Sequence, residues 1–131
     1  LPHLDEYIEA RQRAAAYYDK AFSNNSHLLI PARTDNSTHV FHQYTLRLVD
    51  VDREALREGL AQAGVPAMIY YPVPLHMQKA YQDPRYKEGD FPVAEQLAAC
   101  VLSLPMHTEL DEEQLAYIIE HVLTAIQDCK A

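Results

Sequence analysis

Apolar residues recur at helical spacing near both ends of the chain. Between positions 4 and 22 they lie three, four and seven apart, with charged residues elsewhere, which predicts an amphipathic helix that ends at Ser23-Asn-Asn-Ser26. From 115 to 126 the same spacing predicts a second long helix. Acidic residues at 111–113 suit its N-terminal end, and we expect the N-cap within 108–111.

The central part of the chain has the composition of strands. β-branched and aromatic residues from 39 to 49 predict a long strand, and the apolar run 67–71 predicts a short buried one. Between them, Asp50 or Asp52 offers an N-cap for a helix over 55–63.

Later segments have equally local signals. Gly64 offers the C-terminal stop of the second helix, and residues 83–92, with two prolines, a glycine and several charges, predict an exposed loop. After it, 93–100 has the pattern of a short helix, and 101–104 that of a short strand that Pro105 ends.

The order of these elements is helix, strand-helix-strand and helix-strand-helix, without an internal repeat. It predicts an α/β (α+β) fold, with a small sheet packed with helices. A length of 131 residues suits one domain, and 48% hydrophobic residues argue against disorder. We therefore interpret 1–131 as a single small domain, with a leading helix over 1–26 and an α/β part over 39–131.

The net charge, the cysteine spacing and the hydropathy argue against several kinds of partner and site. The net charge is −8, and the basic residues are scattered, so we expect no nucleic acid partner. Cys100 and Cys129 have no CxxC spacing, which predicts neither a disulfide framework nor a zinc ribbon and favours a reducing cytoplasm. No apolar run approaches the roughly 20 residues that span a bilayer, so we expect no membrane association.

The segment with the most chemical information is Tyr70-Tyr-Pro-Val-Pro-Leu-His-Met-Gln-Lys-Ala-Tyr81. Pro72 and Pro74 fix φ and lack a backbone donor, so they forbid a helix. They hold Tyr70, Tyr71 and Leu75 in a stiff extended loop after the predicted strand. Ligands often bind at strand ends in α/β folds. The alternative is that these side chains complete the edge of the core, with the phenol hydroxyls bonded to the backbone.

Four blocks of sequence, taken together and in order, resemble the DegT/DnrJ/EryC1/StrS family of pyridoxal-phosphate-dependent nucleotide-sugar aminotransferases. The resemblance covers nearly the whole chain. The blocks are Leu4-Asp-Glu-Tyr-Ile-Glu-Ala-Arg11 with Tyr17-Tyr18, His39-Val-Phe-His-Gln-Tyr-Thr-Leu-Arg47, the segment 70–81, and Leu102-Ser-Leu-Pro-Met-His107.

This resemblance implies the small C-terminal domain of a fold-type I pyridoxal-phosphate enzyme, with residues 1–26 leading from a missing cofactor domain that carries the Schiff-base lysine. It implies transfer of an amino group from glutamate to a keto sugar nucleotide, in a homodimer, for a bacterial surface polysaccharide such as lipopolysaccharide O-antigen. On this interpretation the chain alone has no catalytic residue, binds no cofactor and is inactive.

The resemblance also implies that Tyr70 and Tyr71 reach the nucleotide sugar, and we predict that Tyr70, Tyr71, His76 and Arg47 bind the substrate. Phenol hydroxyls bond sugar hydroxyls while their rings pack on the pyranose. His76 offers a donor or a charge, and Arg47 offers a cation for an anionic group, although a strand arginine is more often a surface ion-pair partner. Within the family, the chain most resembles members that make 3-amino uronic-acid nucleotide sugars. Some of those members have His-Tyr in place of Tyr70-Tyr71, so the sugar, the nucleotide and the aminated carbon stay open.

Other kinds of site are disfavoured. His39 and His42 have a spacing seen in metal sites, but positions i and i+3 of a strand point to opposite faces, so we expect no metal. Neither Ser103 nor Cys100 has neighbours that activate a nucleophile, and the three glycines are not spaced for a phosphate loop.

A second function stays open beside the enzyme. The chain can instead be a non-catalytic binding or regulatory module of the same family, in which the Tyr70 loop and the exposed side of the first helix hold a partner.

Overall fold

The computed structural model describes residues 1–129, and in this range four α-helices accompany a small antiparallel sheet, which confirms the predicted α+β class. Two short 3₁₀ turns follow the second helix. The first begins at Leu75, where the N–H of Met77 donates back to the carbonyl of Pro74 at 3.0 Å, so the extended geometry predicted for Leu75 is wrong. The elements are α1 Leu4–Phe22, β1 Leu28–Leu29, β2 Tyr44–Leu48, α2 Arg53–Gln62, the 3₁₀ turns Leu75–Met77 and Lys79–Tyr81, α3 Pro92–Cys100, β3 Val101–Leu104 and α4 Glu112–Asp128.

The sheet has the order β1-β2-β3, and both pairs of neighbours are antiparallel. Tyr44 lies opposite Leu104 and Arg47 lies opposite Val101. Because side chains alternate along a strand, Tyr44 and Leu104 share the face that packs into the core, while Arg47 and Val101 share the other. The register therefore places one charged side chain beside a buried valine on the outer face.

The hydrophobic core lies between the inner face of the sheet and helices α1, α2 and α4. The ring of Tyr18 packs against those of Phe22 and Tyr44, with centroid distances of 5.9 Å and 4.8 Å. The buried helical members of this core are Ala14, Ala15, Tyr18, Phe22, Leu56, Leu60, Leu115, Ile118, Val122 and Ile126.

Only the second half of α1 takes part in this core. The predicted apolar stripe also includes Leu4 and Tyr7, but these side chains are 49% and 50% exposed. No helix in the described chain combines the length and the apolar character needed to cross a bilayer.

The predicted strand over 39–49 is wrong at its N-terminal half. Residues 39–43 form an irregular loop in which buried Phe41 has a φ of 48°, a left-handed conformation that large residues rarely adopt. Nη1 of Arg11 donates to the carbonyls of Phe41 and His42 at 3.1 Å and 3.3 Å, and Nε2 of Gln12 donates to that of His39 at 3.1 Å. Because these carbonyls accept from side chains of α1, residues 39–43 do not form hydrogen bonds with the neighbouring strands of the sheet.

The predicted strand over 67–71 is also too long. Only Met68 pairs with the sheet, by two backbone hydrogen bonds to Ser103 of 2.9 Å and 2.7 Å. Ala67 is buried, but Tyr71 is 72% exposed and the chain leaves the sheet before Pro72, which has no N–H to donate.

The predicted helix ends are largely confirmed. The carboxylate of Asp52, not Asp50, caps α2 by accepting from the N–H of Ala55 at 3.0 Å, and Gly64 ends the helix with a φ of 74°. Asp111 caps α4 in a reciprocal capping box with Gln114, whereas the Thr108 hydroxyl donates to the neighbouring Glu109.

Candidate functional site

A groove of about 650 Å³ separates the Tyr70 loop from α3. Val101, on the outer face of the sheet, lies at its base, and Ala94, Leu97 and Ala98 form the α3 wall. Phenol groups line the opposite wall. Such a mixture of apolar surface and a few polar groups suits a sugar ring, which has apolar faces and hydroxyl edges.

Tyr70 and Tyr71 lie together at this groove, with ring centroids 6.0 Å apart and the rings inclined at 72°. They are 40% and 72% exposed, and the peptide bond between them is cis. Neither hydroxyl has a hydrogen-bond partner in the described chain. The core-edge alternative, with hydroxyls satisfied by the backbone, therefore does not describe them, and both hydroxyls are free to bond a ligand.

Arg47 does not line the groove, but its strand register places it opposite Val101, which does. It is exposed and faces Val101 across the β2–β3 pair, on the outer face of the sheet. It makes no ion pair within the part of the chain that the structure describes, although a strand arginine commonly does. Its guanidinium is thus available for an anion.

His76 has different surroundings from the tyrosines. Its Nε2 lies 3.0 Å from Oε1 of Glu95, and its side chain is only 9% exposed. Its ring packs against Phe91 at a centroid distance of 4.8 Å. His76 faces residues 83–91 and does not line the groove, so a direct role in substrate binding stays a prediction.

The exposed loop predicted at 83–92 lies beside a second hollow of about 480 Å³, lined by His76, Tyr86 and Phe91. The rings of Tyr86 and Phe91 are 5.4 Å apart. Within the loop, Arg85 donates to the carboxylate of Asp83 at 2.7 Å and holds the pKa of Asp83 below its ordinary value.

Glu95 is a site residue that the sequence interpretation missed. Its carboxylate accepts from His76 and also from the backbone N–H groups of Gly89 and Phe91. Burial acts to raise the pKa of Glu95, but these hydrogen bonds outweigh burial, so the pKa lies below its ordinary value. A glutamate in the first turn of a helix that begins with proline was the available signal.

The described residues do not form a pyridoxal-phosphate site by themselves. A Schiff-base lysine needs a shielded amine, but Lys20, Lys79 and Lys87 are all exposed. In the same range no group of three or more histidine, cysteine, aspartate or glutamate side chains is arranged to hold a metal.

Comparison with known sequences gives a family match. The model of the DegT/DnrJ/EryC1/StrS aminotransferase family matches residues 1–123. The chain is 42% identical over 124 residues to the "Pleiotropic regulatory protein" of Geobacillus stearothermophilus, and the match covers 93% of this chain and 33% of that protein. It is 42% identical over 118 residues to the UDP-N-acetyl-3-dehydro-alpha-D-glucosamine 3-aminotransferase of Acidithiobacillus ferrooxidans, covering 90% and 31%.

Solved structures give a consistent result. DesV of S. venezuelae, crystallised with a ketimine intermediate, superposes with a TM-score of 0.88 at 32% identity, over 95% of this chain and 33% of DesV. A DegT/DnrJ/EryC1/StrS aminotransferase of Brucella abortus superposes with a TM-score of 0.85 at 32% identity, over 96% and 33%. The chain thus spans about a third of the length of the relatives it matches.

Proposed function

Because this chain belongs to the DegT/DnrJ/EryC1/StrS aminotransferase family, we propose that it forms the C-terminal, substrate-side domain of a pyridoxal-phosphate-dependent nucleotide-sugar aminotransferase. The complete enzyme transfers the amino group of glutamate to a keto sugar nucleotide. It acts as a cytoplasmic homodimer and supplies amino sugars for a bacterial surface polysaccharide such as lipopolysaccharide. In this proposal the cofactor and its lysine belong to a domain outside this chain.

The observation that carries the proposal is the pair of unpartnered phenol hydroxyls at the groove. Tyr70 and Tyr71 offer hydrogen bonds to sugar hydroxyls and aromatic faces to the pyranose ring. Arg47, beside Val101 at the base of the groove, offers a cation for the diphosphate. The groove and the strand residue beside its base thus offer partners for both halves of a nucleotide sugar.

The described residues orient the substrate and exclude water, and none is assigned a proton transfer. When bound, the cofactor supplies the electron sink of transamination. The Acidithiobacillus relative is named for a UDP-linked 3-keto sugar, so UDP-linked 3-keto sugars are the first substrates to test.

The proposal is tested by titrating UDP-N-acetylglucosamine, a stable probe, into the protein as its gene encodes it. Loss of one hydrogen bond in Tyr71→Phe weakens binding by roughly 2- to 10-fold, and Tyr71→Ala weakens it further because the ring contact is also lost. Tyr17→Phe is the matched control, since Tyr17 lies on α1 away from the groove. Both Tyr71 variants binding like this control would overturn the site.

The Geobacillus relative favours a second candidate, because its name describes a regulatory protein. In that case the exposed side of α1 and the Tyr70 loop hold a protein partner and no transamination occurs. A full-length protein that binds the sugar nucleotide but releases no 2-oxoglutarate from glutamate supports this candidate over the enzyme.

A further inference from the structure

The carboxylate of Glu95, on α3, bonds two separate parts of the loop beside the groove. Oε1 of Glu95 accepts from Nε2 of His76 at 3.0 Å and from the N–H of Gly89 at 2.9 Å, and Oε2 also accepts from Gly89 at 3.0 Å. The N–H of Phe91 lies 3.4 Å from Oε1. Glu95 therefore holds both ends of the stretch from His76 to Phe91 against α3.

The segment 72–91 is otherwise bonded mainly to itself. Gln78 donates to the carbonyl of Val73, and Arg85 pairs with Asp83. The side-chain hydrogen bonds that connect this segment with the rest of the described chain end on Glu95. Its position on α3 thus depends on one carboxylate and on apolar packing.

Helix capping alone does not account for this arrangement. A cap of α3 accepts from N–H groups inside the first helical turn, and no side chain of the described residues makes such a bond. The only contact of the Glu95 carboxylate at the helix start, with the N–H of Phe91, is the longest that it makes. The shorter contacts go to Gly89 and to His76, whose side chain is 9% exposed and whose ring packs on Phe91 at 4.8 Å. The arrangement is that of a loop attachment more than of a helix cap.

The attachment bears directly on the groove. Leu75, adjacent to His76, lines one wall of the groove together with Tyr81 and Tyr71, and Ala94, adjacent to Glu95, lines the other. We propose that Glu95 and His76 are positioning residues that attach segment 72–91 to α3 and so set the width of the groove. The consequence for substrate rests on the proposed function, whereas the attachment itself does not.

The attachment is tested by peptide-resolved hydrogen exchange on the protein as its gene encodes it, without ligand. Glu95→Gln removes the negative charge that strengthens the contacts of Oε1, and replaces Oε2 by an amide that cannot accept from Gly89. His76→Phe keeps a ring against Phe91 but removes the N–H donor. In both variants we expect exchange in peptides covering 77–91 to rise roughly tenfold, with α4 unchanged. Glu58→Gln is the matched control, because Glu58 is an exposed helical glutamate without a partner in the described chain.

His76→Gln supplies an amide donor and should restore part of the protection from exchange. If the faster exchange in His76→Phe came from lost ring packing alone, His76→Gln would restore none of it. The proposed attachment is overturned if peptides covering 77–91 exchange at the same rate in Glu95→Gln and His76→Phe as in the Glu58→Gln control.

The effect on the groove has its own readout. We expect the KM for the sugar nucleotide to rise several-fold in Glu95→Gln while kcat changes little, because a positioning residue does not touch the reacting atoms. Raised exchange with an unchanged KM overturns the groove-width inference and leaves the proposed function standing. Failure of the proposed function shows instead in the Tyr71 variants, whatever the exchange result.

Discussion

The hydroxyl of Tyr44 donates a hydrogen bond of 2.8 Å to Oδ1 of Asp19, and so connects the first residue of β2 with α1. Tyr44 is completely buried, and its ring packs on that of Tyr18. Asp19 is also paired with Arg33, whose guanidinium lies 4.0 Å from the centre of the Phe41 ring. The same contacts therefore orient α1, β2 and the loop before β2.

Tyr44→Phe should lower the free energy of unfolding by about 1.5 kcal/mol, the lower end for a hydrogen bond to a charged acceptor, because Asp19 keeps Arg33 as a partner. Denaturant unfolding measures the change. Tyr17→Phe removes an exposed hydroxyl without a described partner and should change little. Equal stabilities of the two variants would contradict the role assigned to the Tyr44–Asp19 bond.

Alkaline pH should destabilise the fold. Burial raises the pKa of Tyr18, and burial together with the bond to Asp19 raises that of Tyr44, above the ordinary value of 10.0. Above that pH the unfolded chain loses these protons while the folded chain keeps them, so stability is full below the ordinary value and falls as pH rises past it.

The slope of the unfolding free energy against pH shows whether a buried tyrosine keeps its proton in the folded state. Each buried tyrosine contributes up to about 1.4 kcal/mol per pH unit to the decline in unfolding free energy. Unfolding free energies measured from about pH 9 to 11 should show a shallower decline in Tyr44→Phe than in the parent protein. The same slope in both would mean that Tyr44 does not hold its proton in the folded state.

The N-terminal end of α4 should depend on Asp111 and not on Thr108. Asp111→Ala removes the side chain that accepts from the N–H of Gln114 at 2.8 Å, and should cost about 1 kcal/mol of stability. Thr108→Ala should be nearly neutral, since its hydroxyl bonds only the neighbouring Glu109 side chain. A larger loss in Thr108→Ala, measured by denaturant unfolding, would reverse this assignment.

Arg47→Ala should weaken UDP binding by roughly tenfold and reduce its dependence on salt, because a charge-assisted contact is lost. Arg13→Ala is the control, since Arg13 is exposed on α1 and pairs only loosely with Glu9 at 3.9 Å. Calorimetric titrations at two ionic strengths give both quantities. Unchanged affinity and salt dependence in Arg47→Ala would remove Arg47 from the site.

Elements with local signals could be predicted from the sequence. Asp52 and Gly64 bound α2, and Pro105 follows β3, because caps and breakers act on their immediate neighbours. The loop at 39–43 could not be distinguished from a strand, since its carbonyls bond Arg11, which lies 30 positions from Phe41.

In the candidate site, too, features with local signals could be predicted and long-range contacts could not. Pro72 and Pro74 predicted a loop at Tyr70 and Tyr71, and the structure leaves both side chains exposed there. The position of Glu95 in the first turn of α3 is a local signal for a helix-end carboxylate, but its bond to His76, 19 positions away, has no local signal.

The intact mass and visible absorbance of the protein purified from its own gene test the proposed enzyme most directly. We expect a mass well above the 15.0 kDa of this chain, a yellow colour from bound pyridoxal phosphate, and loss of that colour when glutamate donates its amino group. A colourless product of 15.0 kDa that does not respond to glutamate would contradict the proposed enzyme.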